Sequence, residues 1–117
     1  MTEALLLKLN REVQDNGSRL LVVIIPDETE VDQIKRERVL AAYPVLAKQS
    51  AETLNPSIRL GKFLRQEGIM VLSLTPIFED YQSDTNLIYF PHDGHFTPLG
   101  HILTSRAMFE TITLLGP

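Results

Sequence analysis

All three histidines of this 117-residue chain fall in one stretch, Pro91-His92-Asp93-Gly94-His95-Phe96-Thr97-Pro98-Leu99-Gly100-His101. Asp93 and His95 are two apart, with Gly94 between them to permit a tight backbone. In a loop, that spacing lets the carboxylate accept a hydrogen bond from one imidazole nitrogen, and the other nitrogen is left as a base. His92, Asp93, His95 and His101 are also metal-ligand types. A closed metal site needs three or four converging ligands, however, and the chain has no helical His-x-x-x-His pair and no cysteine, so no metal is expected. His92 is expected to be exposed, and His101, about one turn into a helix, to pack beneath the loop.

The elements that must position this stretch are legible from periodicity. Thr2 to Asn16 reads as an amphipathic helix with Leu5, Leu9 and Val13 repeating every four residues, stopped at Asn16-Gly17. Leu20 to Ile25 is an unbroken apolar run ending at Pro26, the pattern of a strand buried on both faces of a parallel sheet. Glu30 to about Tyr43 reads as one charged helix, with Val31, Ile34 and Val39 inward and Lys35, Arg36, Glu37 and Arg38 on a solvated face; Pro44 ends it. Asn55-Pro56 opens another helix as cap and first residue, with Leu60, Phe63 and Leu64 inward and Gly68 after its end. Ile69 to Leu74 is a second buried strand, with Ser73 read as a small polar residue at its end.

Thr75 to Phe96, including Ser83, Asp84 and Asn86, shows no long periodic element and is expected to be a functional or disordered loop. Within it, Leu87 to Phe90 is a candidate third strand. Thr97-Pro98 then caps a last helix with Leu99, Ile102, Leu103, Ala107 and Phe109 as its apolar face, and the cap would fix the orientation of His95. This order predicts one α/β domain over residues 1–117, with two to three parallel strands flanked by helices. The site would lie beyond the C-terminal strand ends, where such sheets place their ligands. Asp27, Glu28 and Glu30 follow a strand end, so they either border the site or simply favour a helix dipole. So thin a sheet leaves a hydrophobic edge unpaired, and a homodimer through the strand Leu20–Ile25 would cover it.

Composition narrows the function classes. Hydrophobic residues make up 44% and charged residues 22%, as in an ordinary globular domain. The net charge is -4 with signs intermixed, so no basic stripe exists for nucleic-acid phosphates. No apolar run approaches the roughly 20 residues that span a bilayer. The N-terminus lacks the basic start and small-residue cleavage site of a signal peptide. The absence of cysteine removes disulfides and a thiolate nucleophile and leaves the compartment open.

Asp93-Gly94-His95-Phe96-Thr97, followed by Gly100-His101, resembles the last conserved block of the SGNH (GDSL-type) hydrolases. The Asp-x-His-aromatic-Thr form is similar to the branch containing polysaccharide O-acetyltransferase-like proteins. Leu20 to Asp27 and Leu60 to Leu74 resemble the elements that precede that block, so the likeness covers almost the whole chain but only the second half of the family's domain. The resemblance implies a partial flavodoxin-like fold, an ester or O-acylated carbohydrate substrate, and no cofactor. It also implies Asp93 as orienting carboxylate and His95 as general base. The family's Gly-Asp-Ser nucleophile block and its oxyanion Gly and Asn blocks have no counterpart. Ser18, Ser50, Ser57, Ser73, Ser83 and Ser105 all lack that context, so this chain alone is expected to be inactive. The alternative is a non-catalytic α/β module that self-associates through its strand edge.

Overall fold

Two parallel strands carry the fold. In a computed structural model, which describes residues 1–49, 55–83, 85 and 87–116, β1 (Leu21–Ile24) pairs with β2 (Met70–Ser73) in the register Leu21↔Met70 through Ile24↔Ser73. Leu74 N–H continues the ladder to Ile24 O at 3.1 Å. The helices are α1 (Thr2–Asp15), α2 (Glu28–Val31), α3 (Gln33–Ala42), α4 (Pro56–Gln66), α5 (Thr75–Tyr81) and α6 (Pro98–Leu115). Ser50, Asp84 and Asn86 lie outside the described residues.

Strand alternation divides the core in two. On one face Val22, Ile24 and Val71 meet Leu64 and Leu60 of α4 and Leu6 and Leu7 of α1. On the other, Val23 and Leu72 meet a cluster built on Leu74, Phe78 of α5, Ile88, Tyr89 and Leu103 of α6. Helices thus cover both faces of a parallel sheet, the α/β arrangement expected.

Several expectations need correction. The helix expected from Glu30 to Tyr43 is two helices. Asp27 caps α2 in a reciprocal box with Glu30. Asp32 then adopts extended backbone and its carboxylate accepts Lys35 N–H at 3.0 Å, restarting the chain as α3. Ile34 consequently points outward, while Val31 is buried. The expected loop after Thr75 begins as α5, a helix too short to show a period, anchored by fully buried Phe78. Leu87 to Phe90 adds no strand to the sheet; it contributes a single antiparallel bridge, Tyr89↔Phe96. Leu5 and Leu9 of α1 and Ile102 and Phe109 of α6 are exposed rather than inward.

The exposed apolar positions of α1 and α6 share a cause. The two strands found among the described residues offer too little surface to cover every apolar helix face. β1 itself is shorter than Leu20 to Ile25 and only Ile24 is buried. The radius of gyration is 16.1 Å, against about 13 Å for a compact chain of this length. Among the described residues no helix is long and apolar enough to cross a membrane.

Candidate active site

The Asp93–His95 stretch is the tip of a clamped hairpin. Around the Tyr89↔Phe96 bridge, Phe90 N–H donates to His95 O and Thr97 N–H donates to Ile88 O, both at 2.8 Å. The Thr97 hydroxyl donates to Leu87 O and accepts Gly100 N–H at 3.3 Å, so one side chain ties the hairpin base and caps α6. Inside the tip the chain reverses through left-handed backbone at His92 (φ 65°) and Gly94 (φ 75°). Glycine suits the second position because a side chain there would be strained although space is open. His92 adopts this region despite its Cβ, a conformation that persists only where its surroundings impose it.

The reversal folds Asp93 back on His95. Asp93 Oδ1 accepts the His95 backbone N–H at 3.1 Å and also contacts ring Nδ1. These bonds, the ring's first and the backbone's second, hold the Asp93 carboxyl below the ordinary carboxylate range. Both side chains are open to solvent, His95 at 85% and Asp93 at 52%. The pair is therefore assembled but not desolvated, and nothing among the described residues excludes water from it.

His95 lines a cavity of about 710 Å³. The segment Ile25 to Thr29, which leaves the C-terminal end of β1, also lines it, so Asp27 and Glu28 border this cavity. Phe96 lines the cavity too, its ring packed against Tyr89 and Phe78 at centroid distances of 5.4 and 5.5 Å. His101 packs edge-on against Phe96 at 5.4 Å, as a residue under the loop should, yet it is exposed and lines the same cavity. His92 lies outside it, in a neighbouring cavity with Arg38.

Sequence reasoning missed three contributors. Lys35 is not on a purely solvated face: it lines the cavity and pairs with Glu28, another lining residue. The Thr29 hydroxyl lines the wall and donates to Asp27 Oδ1 at 2.7 Å. Tyr89 is buried and donates its hydroxyl to Pro26 O. The Asp27-x-x-Glu30 capping spacing was the one available signal for this wall.

No described serine lines the cavity. Ser57 is buried against Glu30, Ser73 sits in the β1–β2 pairing, and the Ser105 hydroxyl returns to Ile102 O. Among the described residues no group of three His, Asp or Glu converges as a metal site would require.

A family model described as the SGNH hydrolase-like domain of the acetyltransferase AlgX matches residues 1–115. Neither a curated protein nor a solved structure matches the chain.

Proposed function

Because the chain belongs to the family of SGNH hydrolase-like domains of the acetyltransferase AlgX, we propose that it contributes the Asp–His part of a Ser-His-Asp acyl-transfer site. The observation that carries this reading is the contact of Asp93 Oδ1 with His95 Nδ1 at the edge of a cavity. An Nδ1–H donated to Asp93 leaves the Nε2 lone pair free to take a proton from a hydroxyl. Asp93, held ionised, then stabilises the imidazolium that forms. The acyl group moves from an ester or O-acylated carbohydrate to the serine oxygen, His95 accepting that oxygen's proton and returning it to the departing alkoxide.

The serine in this proposal is supplied by polypeptide other than this 117-residue sequence. Family membership and the lack of a serine among the described residues that line the cavity support that division of labour. Nitrogen-15 NMR of the imidazole tests the base assignment. In the neutral imidazole the proton should reside on Nδ1, and Asp93→Ala should move it toward Nε2, the tautomer favoured by free imidazole side chains. An Nε2–H tautomer in the unmodified chain would rule the assignment out.

A second reading rests on a different observation. The sheet has two strands, and β1 has no partner on its outer side among the described residues. Exposed Ile25, Phe109 and Ile112 add apolar surface. A homodimer through Leu20 to Ile25 would cover the edge. Light scattering tests it: a dimer that Ile25→Lys, at an exposed position of that stretch, dissolves supports the reading, and a monomer at all concentrations removes it.

A further inference from the structure

Pro26 and Asp27 line the cavity that His95 also lines, and both polar groups of the peptide unit between them are held by buried side chains. Its carbonyl accepts the Tyr89 hydroxyl. Its N–H donates to Glu30 Oε2 at 2.7 Å. Glu30 is itself fixed, accepting Ser57 N–H at 3.0 Å and the Ser57 hydroxyl at 2.8 Å at the start of α4. Tyr89, Glu30, Ser57 and Pro26 are all buried. One peptide bond therefore joins the hairpin, α2 and α4.

We infer that Tyr89 and Glu30 are positioning residues of this site, setting the separation between the Asp27–Thr29 wall and His95 by gripping opposite ends of the Pro26–Asp27 peptide. The inference rests on reading the cavity as the acyl-transfer site. Tyr89 suits the task because its backbone forms the bridge to Phe96, the residue next to His95. Its ring is locked edge-on against Phe78 at 6.0 Å, so a shift of the hydroxyl moves the hairpin. Burial, reinforced by the carboxylates of Asp27, Glu30 and Glu28, raises the Tyr89 hydroxyl pKa, so it remains a donor at any working pH. A buried group that loses its partner must seek another or move toward water, and this gives the grip its directional force.

Amide hydrogen exchange on the whole chain tests this, comparing wild type with Tyr89→Phe and Glu30→Ala and normalising each to its global stability in urea. In Tyr89→Phe the amides of Asp27, Phe90 and Thr97 should exchange at least about tenfold faster than the global change accounts for. The β1–β2 amides should follow the global change alone. If all protected amides accelerate by one common factor, or none does, the two residues are merely structural and the inference fails. Should Tyr89→Phe not fold, Glu30→Ala, which removes the side-chain acceptor of the Asp27 N–H, gives the same reading at Asp27. The His95 tautomer is measured separately, so failure of the clamp and failure of the base assignment are distinguishable.

Discussion

Two nitrogens of His95, the backbone amide donating at 3.1 Å and the ring Nδ1, converge on a single oxygen of Asp93. The convergence is what a two-residue separation with an intervening left-handed glycine produces. It fixes the ring relative to its own backbone, and the hairpin bonds fix that backbone relative to the sheet. The chemistry of the site therefore depends on local turn geometry more than on burial, since both side chains remain in solvent.

Titration should reveal the contact. The Asp93 carboxyl is lowered in the folded chain, first by the His95 ring and then by its amide. Its contribution to stability is therefore present above the ordinary carboxylate range, near pH 4, and is lost as pH falls through the lowered value. A carbon-13 titration of the Asp93 carboxyl should give a midpoint below that of an unstructured aspartate. His95→Ala should bring it only part of the way back, because the backbone N–H remains.

Thr97→Ala should cost about 1 to 2 kcal/mol in urea unfolding, the upper range for an N-cap. Thr97 does more than cap: its hydroxyl also serves Leu87 O and lies 3.2 Å from Ile88 O. Thr97→Ser should retain most of that stability, and a loss equal to that of alanine would contradict the hydroxyl's role.

Gly100 is required by close approach rather than by φ. A Cβ there would lie 2.6 Å from Ile88 O and 3.0 Å from Phe96. Ile88 O is backbone at the hairpin base, so the strain cannot be relieved by a rotamer change. Gly100→Ala should destabilise by roughly 1 to 3 kcal/mol and shift the amide resonances of Ile88, Phe96 and Thr97. Unchanged resonances there would show that the packing is looser than described.

The sequence made the α/β class, both strands, the Asn55 and Thr97 caps and the Asp93–His95 pair legible, because each rests on a local pattern within a few residues. What it hid depends on distant partners. Ile34 fits a helical stripe continuous with Val31, yet the Asp32 cap breaks that helix and turns Ile34 outward. Leu5 and Leu9 repeat correctly for an inner face, but the two-strand sheet engages Leu6 and Leu7 instead. Tyr89 falls within the candidate strand Leu87 to Phe90, but its role stays hidden because its partner, Pro26 O, lies 63 positions away. Lys35 looked like surface because its acidic partner Glu28 belongs to a separate short helix.

Hydrolysis of p-nitrophenyl acetate by the purified 117-residue chain, beside His95→Ala, tests the central claim most directly. A base without a serine in its cavity should give no rate above that of the variant. A rate abolished by His95→Ala would contradict this division of labour and show that a hydroxyl of this chain, or of a second copy, completes the site.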